Sequence, residues 1–300
     1  MKKLVYEVAP NLKLLSPHPT LPGYDDFVGS YLFCGEKKVL VDVGFKTAVP
    51  GLIAALAQAE VKPDEIDYII LTHIHMDHAG GIGQAAREMK NAYVIAHQRA
   101  FKHLVDPTEL WKASQETLGE LALKYGAIEP VPENRIIIAK DAMELDLGKG
   151  LTLEIYLTPG HAPHHLCVFE RKERVLLAGD MAGVYMDGFL RPAAPPPFVF
   201  EDYVTSLDKV MALQPEKIAY SHFGCYDNAP ERLRAAKKQI ILWRKIVQSG
   251  VKEGKNPKEI FKLLWAGDKT IAAFNSLDKS VYPRDYSLIL NTIRGITSGG

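Results

Sequence analysis

Short apolar runs of strand type alternate with helix-type runs along the first three quarters of the chain. β-Branched and aromatic residues fill positions 27–33 and 38–43, and the Gly35-Glu36 pair between these runs predicts a hairpin. Residues 50–59 are rich in Ala and Leu and begin with proline, which the first turn of a helix tolerates. Further strands are predicted at 67–71, 92–96, 136–139, 151–157, 166–169, 175–178 and 218–220, with helices at 82–89, 100–104 and 109–125.

The pattern changes close to residue 229. Beyond it the strand signal fades, and apolar groups at 240–243, 260–264 and 287–290 have helical spacing. We therefore predict an α/β domain over residues 1–228 and a helical C-terminal extension over residues 229–300.

Composition and charge disfavour several classes of protein. The 36 basic residues balance the 36 acidic ones, so there is no positive excess of the kind that a nucleic-acid binder uses. Cys34, Cys167 and Cys225 are far apart and form no CxxC pair, which suits a reducing compartment. Neither a signal peptide nor an apolar stretch of the ~20 residues that cross a bilayer is evident. We expect a cytoplasmic protein without a membrane partner.

Four potential metal ligands follow the apolar run 68–71 within a few residues: His73, His75, Asp77 and His78. Histidine and aspartate are the side chains that Zn²⁺-like ions bind. A buried cluster of this kind is costly unless a cation repays the desolvation. The cluster therefore predicts a metal site.

Three other strands deliver a similar side chain just after their ends. The runs at 153–157, 175–178 and 217–220 are followed by His161, Asp180 and His222, respectively. Ligands of open α/β sheets lie at the carboxyl ends of the strands. Each residue alone is weak support, but together they favour a dinuclear site.

Spacing suggests which residues share an ion. In an extended chain His73 and His75 point the same way, so both can reach one ion with His161. Asp77 and His78, with His222, would hold the second ion, and the two oxygens of Asp180 would bridge the pair. Two divalent ions lower the pKa of a bound water toward ~7, which makes a bridging hydroxide available to attack a carbonyl carbon. Asp77 or a metal-bound water would protonate the leaving group.

These residues resemble the metallo-β-lactamase superfamily. Its HxHxDH signature corresponds to His73, His75, Asp77 and His78, and the match continues through Asp42, His161, Asp180 and His222. The resemblance implies an αβ/βα four-layer sandwich with a dinuclear site and a hydrolytic reaction. It also implies that Asp42 lies behind the ligand loop and steadies it, and that His165 supports the ligands in a similar way.

Within the superfamily the chain is most similar to the glyoxalase II thioesterases and the lactonases, in a prokaryotic branch of unassigned substrate. True β-lactamases usually lack the bridging aspartate, and the flavodiiron reductases have glutamate at the position of His75 and a fused flavin module. We expect hydrolysis of an ester, thioester or lactone of a small molecule. The alternatives are a small-molecule phosphodiesterase and an iron-dependent redox enzyme. Zinc is the expected metal, with iron or manganese as alternatives, and a homodimer is possible.

Residues 181–200 follow the bridging aspartate and are predicted to be irregular, with two glycines and four prolines. We interpret them either as a substrate wall, with Tyr185, Phe189 and Arg191 as contacts, or as a connection packed on the C-terminal helices. Tyr185 is also the nearest candidate for the tyrosine with which lactonases assist the leaving oxygen.

Overall fold

The computed structural model describes residues 2–186, 188–222, 224–276 and 282–299. The predicted domain begins at residue 1 and the predicted extension ends at residue 300, and both of these residues lie outside the described ranges. One sheet contains seven strands in chain order: β1 (Val5–Ala9), β2 (Leu12–Leu15), β3 (Ser30–Cys34), β4 (Lys38–Val41), β5 (Ile66–Ile70), β6 (Tyr93–His97) and β7 (Ile136–Ala139).

The second sheet comes from the middle of the chain. Its strands are β8 (Met143–Asp146), β9 (Thr152–Leu157), β10 (Leu166–Glu170), β11 (Val175–Gly179), β14 (Lys217–Tyr220) and β15 (Gly224–Asp227), in the order β15-β14-β11-β10-β9-β8. A separate small hairpin pairs β12 (Val184–Met186) with β13 (Phe189–Arg191).

Helices cover the outer faces of both sheets. Those before residue 130 are α1 (Val49–Gln58), α2 (Met76–Ala79), α3 (Ile82–Glu88), α4 (Phe101–Val105), α5 (Thr108–Leu118) and α6 (Glu120–Tyr125). Those after residue 199 are α7 (Phe200–Ala212), α8 (Ala229–Lys252), α9 (Pro257–Gly267) and α10 (Tyr282–Ser298). Single 3₁₀ turns lie at Lys46–Ala48, Pro63–Glu65, Gln98–Ala100 and Glu133–Arg135, with a longer one at Lys269–Ser276.

The alternation of side chains along the strands builds the layers. Ile69 packs outward with α1 and α3, whereas Ile70 packs inward into the core between the two sheets. On the second sheet Leu176 faces the helices and Leu177 faces the first sheet. A strand buried on both faces must be apolar at consecutive positions, which explains the short continuous runs in the sequence. The predicted four-layer α/β fold with C-terminal helices is confirmed.

Strand direction brings the predicted ligands to one edge. β9 and β11 both run antiparallel to β10, and β14 runs parallel to β11, so the carboxyl ends of β9, β11 and β14 meet. The other sheet joins them there, because Leu166 N donates to Thr72 O (2.8 Å) and Gly29 N donates to Ser221 O (2.9 Å). The edge is therefore fixed by hydrogen bonds between the sheets.

The C-terminal helices share one hydrophobic core with the second sheet. Trp243 of α8 and Ile289 of α10 belong to the same buried cluster as Leu176 and Tyr203. The division at residue 228 stays a prediction, although the last described strand ends at Asp227. Among the described residues no helix has the length and apolar character needed to cross a bilayer.

Some elements differ from those predicted. The predicted helix at 109–125 is broken at Gly119, whose φ of 57° ends α5. Residues 181–200, predicted to be irregular, contain the β12–β13 hairpin, and β1, β2, β8 and β15 were not predicted. These strands have only three to five residues, so periodicity has too few positions to show.

Candidate metal centre

The ligand loop changes conformation between its second and third ligands. The chain stays extended up to His75 (φ −63°, ψ 153°), and α2 begins at the next residue. Asp77 and His78 therefore lie in a helical turn, whereas His73 and His75 precede it. Both of these rings reach His161: its Nε2 is 3.2 Å from His73 Nε2 and 3.0 Å from His75 Nδ1.

The predicted ligands form two adjacent groups. His73, His75 and His161 make up the first position, and Asp77, His78 and His222 make up the second. In each group the candidate ligand atoms lie within 4.8 Å of one another, and the same holds for Asp180 with His73 and His78.

Asp180 lies between the two positions. Its Oδ2 is 3.7 Å from His161 Nε2, and its Oδ1 is 3.5 Å from His78 Nε2 and 3.4 Å from His222 Nε2. One oxygen thus faces each position. This is the arrangement that a bridging carboxylate requires.

The side chains present fit metal ions. His161 Nδ1 lies 2.9 Å from Ala193 O and must donate to it, which leaves the Nε2 lone pair facing His73 and His75. Within the part of the chain that the structure describes, His78 Nε2 and Asp180 Oδ1 are buried and have no hydrogen-bond partner, although they lie 3.5 Å from each other. Buried polar atoms without a partner are rare in proteins. A cation would satisfy these atoms, so the residues can hold metal.

Asp42 connects the ligand loop to the second sheet. It adopts a left-handed conformation (φ 58°) directly after β4. Its Oδ1 accepts a hydrogen bond from Thr72 N (2.8 Å), and its Oδ2 accepts from Thr72 Oγ1 (2.7 Å), Ser221 Oγ (3.2 Å) and His78 Nδ1 (3.0 Å). A carboxylate behind a ligating histidine fixes the tautomer and the orientation of its ring.

His165 holds the backbone of Asp180. Its Nε2 accepts a hydrogen bond from Asp180 N (3.2 Å), so its Nδ1 carries the proton and donates to Thr158 Oγ1 (2.8 Å). The Thr158 hydroxyl in turn donates to Cys167 Sγ (3.3 Å). Gly179 allows this contact, because it has a φ of 54° and any side chain there would collide with the His165 ring.

The two positions differ in charge. Burial lowers the pKa of His73 well below its ordinary value and that of His75 to about 3, so the first position is neutral. Burial also opposes the charged form of His78, but the carboxylates of Asp180 and Asp77 outweigh it and raise the pKa of His78 well above its ordinary value. Burial opposes ionisation of Asp180, yet His78 and His222 hold its pKa well below the ordinary value.

Two of the three proposed substrate contacts are corrected by the structure. Phe189 is fully buried and packs near Phe274, with ring centroids 5.8 Å apart. Arg191 is 3% exposed and forms an ion pair with Asp285 of α10. Neither side chain is available to a substrate, because the hairpin packs on the C-terminal helices. Tyr185 lies against Tyr226 with the Arg232 guanidinium 4.4 Å from its ring, and its role stays a prediction.

Several parts of the site were missed by sequence reasoning. His164 Nδ1 accepts a hydrogen bond from Ile74 N (3.4 Å), and its ring lies 5.8 Å from that of His75. His164 also lines a cavity of about 640 Å³ with Phe101, Lys102 and Pro163. The backbone carbonyls of Phe27 and Ala193, which accept from His222 and His161, were missed as well. Backbone acceptors leave no signal in a sequence.

Comparison with known proteins identifies the class. The family model of the metallo-beta-lactamase superfamily matches residues 23–222. The chain belongs to this superfamily, whose members include metal-dependent hydrolases, and the predicted resemblance is confirmed.

Three relatives show the range of its similarities. The metallo-beta-lactamase fold-containing protein ST1585 of Sulfurisphaera tokodaii is 31% identical over 216 residues, which are 70% of this chain and 77% of that protein. The crystal structure of ST1585 superposes with a TM-score of 0.74 at 24% identity, covering 96% of this chain and 98% of the other. The probable metallo-hydrolase MJ0888 of Methanocaldococcus jannaschii is 31% identical over 55% of this chain and 72% of its own length. Thioesterase pkgB of Emericella nidulans is 27% identical over 49% of this chain and 33% of its own length.

Proposed function

We propose that the protein is a dinuclear metal-dependent hydrolase that cleaves an ester, thioester or lactone of a small molecule. The observation that carries the proposal is the place of Asp180, which turns one carboxylate oxygen toward each ligand position. The nitrogen- and oxygen-rich ligand set suits zinc. The thioesterase among the relatives supports an acyl substrate.

Each residue has a defined part in this proposal. His73, His75 and His161 would bind one ion, and Asp77, His78 and His222 the other. When bound, two divalent cations supply Lewis acidity for a carbonyl group and lower the pKa of water. Asp180 would hold the ions together and offset part of their charge. The Asp77 side chain is 20% exposed, more than those of His78, His222 and Asp180, and so it is the ligand best placed to pass a proton to a leaving group.

Replacing the bridging carboxylate tests the proposal. The Asp180→Ala variant should bind one ion less and lose roughly 10³-fold in kcat/KM, the size of loss seen when one electrostatic element of an active site is removed. The measurements are metal content and turnover of a panel of lactones, S-acyl thiols and bis-aryl phosphates by the zinc-loaded protein. Asp268→Asn is a matched control, since Asp268 is buried but bonds to Gln239 and Trp243, away from the ligands.

Three results would contradict the proposal. Full metal content and full rate in Asp180→Ala would remove the bridging role. Turnover of the phosphate diesters alone would replace the acyl substrate by a phosphodiester. Tightly bound iron with oxygen uptake would replace hydrolysis by redox chemistry.

A further inference from the structure

One histidine of each position is held by a backbone carbonyl. His161 Nδ1 lies 2.9 Å from Ala193 O, and His222 Nδ1 is hydrogen-bonded to Phe27 O. These carbonyls lie far apart in the sequence, one after the β12–β13 hairpin and the other in the loop before β3. The placement of both imidazoles therefore depends on how these two segments are fixed.

Helix α10 fixes the first segment on both sides of Ala193. Arg191 Nε and Nη2 each lie 3.3 Å from Asp285 Oδ1. Thr292 Oγ1 accepts a hydrogen bond from Ala194 N (3.4 Å) and donates to Pro192 O (3.2 Å). One turn further along α10, a methyl group on Gly295 would overlap the Ala194 carbonyl, so the helix approaches the segment as closely as backbone allows.

The same helix reaches the second segment through Arg284. Its Nη1 donates to Gly23 O, and its guanidinium lies 4.3 Å from the centre of the Phe27 ring. The Phe27 ring in turn stacks on the His222 imidazole, with centroids 4.2 Å apart and planes at 17°. The segment thus touches α10 on one side and a ligand on the other.

Asp285 contacts both arginines and so connects the two segments. Its Oδ1 faces Arg191, and its Oδ2 accepts a hydrogen bond from Arg284 Nε (3.1 Å). Asp285 is fully buried, and Arg191 and Arg284 are 3% and 7% exposed. A buried ion network adds little net stability compared with apolar side chains of the same shape, so its presence calls for another explanation.

We propose that Asp285 is a positioning residue for the candidate metal centre. Through Arg191 it sets the carbonyl that orients His161, and through Arg284 it sets the ring and carbonyl that orient His222. The C-terminal helix thereby adjusts one ligand of each position without touching either ion. This inference rests on metal binding at these residues, as in the proposed function, but not on the hydrolytic reaction.

Cobalt binding tests the inference without a substrate. The full chain is loaded with Co²⁺, whose visible absorption reports coordination geometry, and the affinity is measured by competition with a chelator. Asp285→Asn should weaken Co²⁺ binding by about 10- to 100-fold, as loss of a supporting group does at other metal sites, and should change the absorption spectrum. Asp268→Asn removes a buried charge from the same helical region and serves as control. It should lower thermal stability but leave affinity and spectrum unchanged.

Two further variants cover the case in which Asp285→Asn does not fold. Thr292→Val removes only the hydroxyl that holds Pro192 and Ala194, and Arg284→Lys keeps a charge but loses the planar contact with Phe27. Thr292→Val should weaken Co²⁺ binding mainly at the position of His161, and Arg284→Lys mainly at the position of His222. The inference is overturned if the folded variants match the control in affinity and spectrum. If the unaltered chain binds no Co²⁺ at all, the proposed function fails together with it, whereas an altered Co²⁺ spectrum without hydrolysis would leave the inference standing alone.

Discussion

The two ligand positions share one loop and one bridging carboxylate, yet they differ in electrostatic character. The first consists of three imidazoles that burial keeps neutral. The second contains His78, which lies 3.0 Å from Asp42 and 3.5 Å from Asp180, and these carboxylates together with that of Asp77 raise the pKa of His78 well above its ordinary value. Behind the first position the supporting groups are uncharged: the Thr72 hydroxyl lies 3.1 Å from His73 Nδ1, and the Ala193 carbonyl lies 2.9 Å from His161 Nδ1.

This difference predicts unequal metal binding. A neutral imidazole can take a cation directly, whereas a protonated one must first release its proton. The first position should therefore fill with little dependence on pH, and the second should bind more weakly as the pH falls. A carboxylate such as Asp42 raises the free energy needed to remove that proton. It also orients the imidazole ring toward the metal.

Among the tests of this difference between the positions, Asp42→Asn should have the largest effect. Asparagine tolerates the left-handed conformation at this position, so the loop should keep its shape. Without the charge behind His78, affinity at the second position should fall by about 10- to 100-fold, and affinity at the first should change much less. Stepwise zinc titration against a chelator measures both constants.

Asp67→Asn provides the control for that variant. Asp67 lies in β5 and, like Asp42, accepts a backbone hydrogen bond, here from Lys38 N at 2.7 Å, but it is remote from the ligands. It should leave both constants unchanged. If Asp42→Asn lowered the zinc affinity equally at both positions, the proposed difference between the two positions would be contradicted.

The comparison also explains which parts of the site the sequence could predict. His73, His75, Asp77 and His78 are neighbours in the chain, and the period of two of an extended chain already pairs His73 with His75. His161, Asp180 and His222 could be added because each follows an apolar strand, and strands of one direction end at the same edge. Where residues follow regular strands, their positions in the sequence therefore predict which side chains lie together in space.

The support around the ligands follows no such rule. Arg191 and Asp285 are 94 residues apart and meet only because α10 packs on the β12–β13 hairpin. From the sequence alone Arg191 and Phe189 were indistinguishable from exposed loop residues, since three-residue strands carry no period. Their burial depends on the packing of α8 and α10, which local pattern does not encode.

The next largest expected effect is the release of a proton when zinc binds at the second position. Binding of zinc at the second position should release one proton from His78 in addition to any released at the first, so its affinity should rise about tenfold per pH unit below the pKa of His78. Calorimetry in two buffers of different ionisation enthalpy counts the protons of each step. Equal proton counts, with equal pH dependence of both constants, would show that the two positions do not differ in charge.

The smallest effect concerns the stability of the metal-free protein. Burial lowers the pKa of His75 to about 3, from an ordinary value of 6.5, so the folded protein binds this proton less readily than the unfolded chain. The contribution of neutral His75 to the free energy of unfolding is fully present above pH 6.5. It is lost as the pH falls toward 3, at up to about 1.4 kcal/mol per pH unit. His75→Asn has no such group, so its free energy of unfolding should fall less steeply between pH 6.5 and 5.5. Denaturant titrations of both metal-free proteins measure the slopes. Parallel slopes would mean that the first position does not hold its histidine neutral, and would remove the contrast with His78.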